Sequence, residues 1–142
     1  SKGGATPWTA KDVQTFLTKF GPGTMARLWF CLAYTTHSRI SDAPTMGPAN
    51  ESTHDGVVYI EWQPRKKGST FVSLPMDEIL ISELQHHDAR ETYIATEYGQ
   101  PFKSSDSLDN KVRKWVVEAG LVGEDGKANP SHHGIRKRLP NA

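Results

Sequence analysis

Two short basic motifs stand far apart in the chain, Ser38-Arg39-Ile40-Ser41-Asp42 and His133-Gly134-Ile135-Arg136, with Arg65-Lys66-Lys67-Gly68 between them. Two arginines, a histidine and a turn lysine are groups that can grip and activate a phosphate. Each guanidinium can make forked hydrogen bonds to non-bridging oxygens. It can also stabilise charge on a pentacoordinate phosphorus, a role worth about 10³–10⁵ in rate for phosphoryl transfer. Lys67, at a turn and among cations, is a candidate general acid for a leaving oxygen, with Lys66 as its substitute. His133 and Arg136 share one face if they lie on a helix. Asp42 follows Arg39 closely enough to orient its guanidinium.

Other chemistries find less support. His86-His87 and His132-His133 are adjacent pairs, and neighbours on a helix point apart. No cysteine or carboxylate partner adds zinc-like spacing, so no metal site is expected. Ser131-His132 lacks the glycines of a nucleophile elbow. No Walker loop or dinucleotide fingerprint is present, so no nucleotide cofactor is expected.

The elements that must carry these residues follow from local signals. Thr9-Ala10-Lys11-Asp12 resembles a capping box, which predicts a helix from there to about Phe20, stopped by Gly21-Pro22-Gly23. A second helix starts near Thr24, buries Met25, Leu28, Trp29 and Leu32, and ends around Thr36-His37, just before Arg39. A short helical turn then runs to Pro44. Asp55-Gly56 is a turn. Val57 to Trp62 and Thr70 to Leu74 read as strands, joined from Pro64 to Ser69 as a hairpin with a basic tip. Between Pro44 and Asp55 any strand is poorly signalled. Asp77 to His87 reads as a helix with Ile79, Leu80 and Leu84 inward. Asp106 caps another, with Leu108, Val112, Trp115, Val116 and Ala119 on one face and Gly120 at its end. Gly123 to Asn129 is a loop. Pro130-Ser131 introduces a last helix carrying His133 and Arg136, broken by Pro140. The fold class is mainly α with a small antiparallel β-sheet (α+β).

At 142 residues the chain fits a single domain, able to bury roughly 68–70% of its unfolded surface. Charged residues at 23% and apolar residues at 36% fit a globular chain and exclude a disordered one. No apolar run approaches the ~20 residues of a membrane span, and Ser1-Lys2-Gly3-Gly4 opens no secretory signal. The lone Cys31 fits a reducing compartment. Net charge is only +1, so the distribution carries the information. Arg65-Lys66-Lys67, Lys111/Arg113/Lys114 and Arg136-Lys137-Arg138 are basic clusters, while Glu78, Glu83, Asp88, Glu91 and Glu97 gather acid between the first two. A basic face and an acidic back would produce this pattern.

Taken together, the motifs resemble those of the tyrosine recombinase (phage integrase) family. Thr36-His37-Ser38-Arg39-Ile40-Ser41-Asp42 is similar to the family's first arginine box, which ends a helix and precedes a small sheet, although His37 stands where the family usually has glycine. Lys67-Gly68 with Val72 and Leu74-Pro75 resembles the lysine turn and the strand after it. Trp115, Ala119-Gly120-Leu121 and His133-Gly134-Ile135-Arg136-Lys137 resemble the run into the second arginine box. The similarity extends from about Trp8 to Lys137, in the family's order.

The resemblance implies an integrase-like catalytic core that breaks and rejoins double-stranded DNA through a 3′-phosphotyrosine, without metal or cofactor. It implies site-specific recombination or integration by a mobile element. Arg39 and Arg136 would hold the phosphate, Lys67 would protonate the leaving 5′-oxygen, and His133 would assist. Asp42 would support Arg39, and Arg65, Lys66 and Lys137 would bind DNA. Other recombinase protomers would be partners, and the setting would be cytoplasmic and nucleoid-associated, bacterial or phage-derived. Tyr34, Tyr59, Tyr93 and Tyr98 all precede the second box, so no nucleophile is assigned within the chain. Residues 1–142 are expected to form a partial catalytic domain, without the amino-terminal DNA clamp or the tyrosine segment, and inactive alone. The alternative is a non-catalytic remnant that binds DNA or a recombinase partner.

Overall fold

The computed structural model describes residues 5–137. Arg138 of the third basic cluster, Pro140 and Ser1 to Gly4 lie outside the described residues. Helix α1 (Ala10–Lys19) opens with the predicted capping box: Thr9 Oγ1 accepts from Asp12 N–H at 3.1 Å, and the Asp12 carboxylate accepts from Thr9 N–H at 3.1 Å. Helix α2 (Met25–Thr36) starts after the cap Thr24, whose hydroxyl accepts from Arg27 N–H.

The single apolar stripe expected for α2 is too narrow. Leu28, Trp29 and Leu32 are fully buried, but so are Ala26, Phe30, Cys31 and Ala33. With one charged residue, α2 is the central helix, packed on nearly all sides. Trp8, Phe16, Trp29 and Phe30 form an aromatic cluster against it, and Trp115 joins through Trp29.

Two short 3₁₀ turns follow, Ala43–Thr45 and Pro48–Asn50. Pro44 therefore lies inside a helical turn, at a first-turn position where a missing N–H costs little. The sheet has three strands in the order β1-β2-β3: β1 (Glu51–His54), β2 (Val57–Trp62) and β3 (Val72–Pro75), all antiparallel. β1 was poorly signalled because Glu51-Ser52-Thr53-His54 is polar and mostly exposed, so burial imprints no alternation on it. Its pairing is set by the turn instead. Asp55 (φ 50°) and Gly56 (φ 78°) form a two-residue link whose positive φ angles match the twist of a tight hairpin.

Helix α3 (Glu78–Leu84) is shorter than predicted, and Ile79 faces solvent at 51% exposure, while Leu80 is buried. The buried polar member of that face is Glu83. Its carboxylate accepts from Gly23 N–H at 2.8 Å, pairs with Arg27 at 3.6 Å and meets His87 Nε2 at 2.7 Å, tying α3 to the start of α2. Helix α4 (Ser105–Glu118) is capped by Ser104, two residues earlier than the Asp106 expected, because the Ser104 hydroxyl accepts from Ser107 N–H. Asp106 sits in the first turn, where its charge complements the helix dipole. Leu108, Val112, Trp115 and Val116 are buried as anticipated, and Gly120 (φ 87°) ends the helix. The last helix, α5 (His132–Ile135), is a single turn. No helix among the described residues is long and apolar enough to cross a membrane.

Candidate active site

The end of α2 sets the position of Arg39. His37, its C-cap, adopts the left-handed conformation (φ 56°), which glycine adopts at no steric cost. The Thr36 hydroxyl is buried, donating to Leu32 O at 2.7 Å and accepting from Ser38 N–H at 3.2 Å. This reversal turns two consecutive carbonyls, of His37 and Ser38, toward α5.

Both carbonyls are used. Arg136 Nε donates to His37 O at 2.9 Å, and His132 Nε2 lies 2.9 Å from Ser38 O. Trp29 Nε1 lies 2.9 Å from His132 Nδ1. An indole N–H only donates and a carbonyl only accepts, so Nδ1 is the bare nitrogen and Nε2 carries the proton. His132 is a neutral imidazole with its tautomer set on both sides. Burial lowers its pKa below the ordinary 6.5, with a carbonyl hydrogen bond acting in the opposite direction.

Arg39 and Arg136 thereby converge, half-buried, from opposite ends of the chain. Burial first, and then the charge of Arg39, pull the Arg136 guanidinium below its ordinary pKa, while the Asp42 carboxylate acts the other way. Two cations held together beside one carboxylate leave net positive charge, which an anion would relieve. Arg136 makes this bond through Nε, and among the described residues no hydrogen bond occupies its terminal nitrogens.

Asp42 does something other than the direct contact expected of it. It is only 2% exposed, and its Oδ1 accepts from the backbone N–H of Arg65 at 2.9 Å. No ion pair joins it to Arg39 among the described residues. Its Oδ2 is buried with no hydrogen-bond partner there. Asp42 is thus the tie between the first arginine motif and the base of the β2–β3 hairpin. Lys67 stands two residues beyond that tie, exposed, in a turn closed by Ser69 N–H to Lys66 O at 3.1 Å and by Gly68 at φ 84°. Arg65 and Lys66 are exposed on the same tip.

His133 is exposed beside Arg136, and Lys137 is exposed after it. The structure brings Arg39, Asp42 and Arg136 within electrostatic reach of one another. It carries Lys67 and His133 on the adjoining turn and helix, without a contact that fixes their side chains. His132 was overlooked in the sequence reading. Its only signal was a second polar residue directly before His133, and burial cannot be read from that.

The contacts of the tyrosines belong to the surrounding fold. Tyr34 stacks on Phe30 and Tyr59 meets His54. Tyr93 is buried and donates to Glu51 at 2.6 Å, with its pKa driven upward by burial and that carboxylate, and Tyr98 is 82% exposed in a distant turn.

A helical domain with a three-stranded antiparallel sheet has the architecture of the lambda integrase catalytic core. No protein-family profile matches the sequence, and no curated protein is similar to it. Solved structures are similar. The lambda integrase catalytic core superimposes with a TM-score of 0.71 at 22% identity, covering 93% of this chain and 79% of that one. A lambda integrase tetramer bound to a Holliday junction gives a TM-score of 0.71 at 21% identity, covering 96% of this chain and 42% of that one. The XerH site-specific recombinase bound to its difH substrate in a pre-cleavage complex gives 0.60 at 17% identity, over 94% of this chain and 41% of that one. This chain therefore spans less than half the length of the proteins in those two DNA complexes. It shares their fold.

Proposed function

We propose that this chain is the phosphate-gripping part of a tyrosine recombinase catalytic domain, acting on double-stranded DNA alongside other recombinase protomers. The observation that carries this is the convergence of Arg39 and Arg136 on one positively charged spot, tied through Asp42 to a hairpin with a basic tip. The shared fold supports it, since the similar structures include integrase on a Holliday junction and XerH on difH.

In this reading Arg39 and the terminal nitrogens of Arg136 hold the non-bridging oxygens of the scissile phosphate. Lys67 gives its proton to the leaving 5′-oxygen, with Lys66 as the substitute. His133 donates a hydrogen bond to the phosphate or assists the proton transfer. Asp42 keeps the hairpin at the site and offsets the charge of the arginine pair. Arg65, Lys66 and Lys137 bind the DNA backbone. In this reading the attacking tyrosine is not among Tyr34, Tyr59, Tyr93 and Tyr98, all of which precede the second arginine motif, and these residues grip a phosphate without attacking it. The same observation favours, as a second reading, a DNA-binding protein whose phosphate site regulates rather than cleaves.

Two measurements test the proposal. A labelled duplex should bind with salt-sensitive affinity, weakened by Arg39→Ala and by Arg136→Ala. A nicked suicide substrate should give no covalent adduct. Binding that neither substitution alters rejects the phosphate site, and an adduct rejects the assignment of the nucleophile.

A further inference from the structure

The last helix contributes more to the site than Arg136. His132, the first residue of α5, and Arg136, its C-cap, each donate to a carbonyl of the first arginine motif, to Ser38 O and His37 O, both at 2.9 Å. These carbonyls immediately precede Arg39. The two bonds form a two-rung clamp that sets the spacing between the arginines. The rung through His132 is buttressed from the core, because Trp29 Nε1 donates to its other nitrogen at 2.9 Å. His132 is only 2% exposed, so water does not compete for either bond. A second anchor holds the helix entrance: Trp8 Nε1 donates to Ser131 O at 2.7 Å. The rung through Arg136 uses Nε, and among the described residues the forked end of the guanidinium carries no bond.

We infer that His132 is a positioning residue, which fixes the distance between the Arg39 and Arg136 guanidinia through the Ser38 carbonyl without touching the phosphate. This rests on the reading of the arginine pair as a phosphate site. A phosphate bridging two guanidinia needs both at a defined separation, and α5 is a single turn with little stiffness of its own. With the His132 rung removed, the side-chain hydrogen bond that remains to the motif among the described residues is that of the very arginine that must face the ligand. Arg136 would then either keep its carbonyl bond and lose its aim, or the reverse.

The test is binding of a fluorescein-labelled DNA duplex to the full chain by anisotropy, over a salt series, for wild type, His132→Phe, His132→Gln, His132→Asn, Arg39→Ala and Arg136→Ala. Phe retains the volume and removes both bonds. Gln carries an amide N–H that reaches toward Ser38 O, whereas the shorter Asn does not. His132→Phe should weaken binding about tenfold, the equivalent of one charge-assisted contact. It should also lower the slope of log affinity against log salt by about one, as if one phosphate contact were gone. His132→Gln should recover most of both. A merely structural role would change the folded fraction and leave the salt slope of the folded protein unchanged. If Arg136→Ala weakens binding and His132→Phe keeps wild-type affinity and slope, the positioning role is overturned and the phosphate site stands. If neither arginine substitution matters, the phosphate site falls and the inference falls with it. Should His132→Phe fail to fold by circular dichroism, Gln against Asn decides: recovery by Gln alone upholds the role, and equal affinity and slope in both overturns it.

Discussion

Replacing Asp42 by alanine should unfasten the hairpin from the first arginine motif. Its Oδ1 accepts the Arg65 N–H at 2.9 Å, across a sequence separation of 23 residues, inside a site where the carboxylate is 2% exposed. A hydrogen bond to a charged acceptor contributes about 1.5–3 kcal/mol net. Against that stands Oδ2, buried without a partner among the described residues, whose desolvation the substitution relieves. The alanine also removes the negative charge that offsets the Arg39–Arg136 repulsion. The balance is a loss of about 2 kcal/mol, or a fall in melting temperature of roughly 6–8 °C for a chain of this size.

Urea denaturation in a low-salt chloride buffer measures the loss, and amide hydrogen exchange at Arg65 reports the bond itself. Inorganic phosphate supplies the second half of the experiment. With its internal counter-charge gone, the arginine pair of Asp42→Ala should take up the anion more strongly, so added phosphate should stabilise the variant more than the wild type. A loss below about 0.5 kcal/mol with unchanged exchange at Arg65 would refute the reasoning. Equal stabilisation of both proteins by phosphate would remove Asp42 from the electrostatics of the site.

Three further outcomes follow from the geometry. A Cβ on Gly134 would lie 2.1 Å from Thr6 O, so Gly134→Ala must push α5 off the amino-terminal segment; a cost of about 1–3 kcal/mol by urea titration is expected, and an unchanged midpoint would contradict the packing. Two buried groups give the stability profile opposite slopes at its two ends. His132, with its folded pKa below 6.5, resists the proton that the unfolded chain takes up, so stability should fall as pH drops below about 6.5, and His132→Gln should lose that component. Cys31, pushed up to about 11 chiefly by burial, keeps its proton when folded and loses it when unfolded, so stability should fall as pH rises from about 9, and a thiol reagent at pH 8 should label it only on unfolding.

Much of the scaffold was legible in the residues. The α1 capping box, the Thr24 start and the Gly120 stop are local devices, satisfied within one helical turn, and they stand where the sequence puts them. β2 and the basic turn after it were equally plain. β1 was not, since a polar strand paired by a two-residue turn carries no burial pattern. Ile79 was placed inward because periodicity shows which residues share a face, not which of two adjacent faces meets the core, and buried Glu83 took that face through its bonds to Gly23, Arg27 and His87.

The sequence by itself determined which groups were available: two arginines in short motifs, a lysine turn between them, and the helices that bring each motif to an element's end. Tertiary structure decided how they are held. It gave Asp42 to the Arg65 backbone, turned the His37 and Ser38 carbonyls to α5, buried His132 and left His133 in solvent. The physical reason is range. Capping and turn formation are settled among neighbours in the chain, whereas these bonds join residues that only the folded core brings together, and a neutral histidine between an indole and a carbonyl has no local signature.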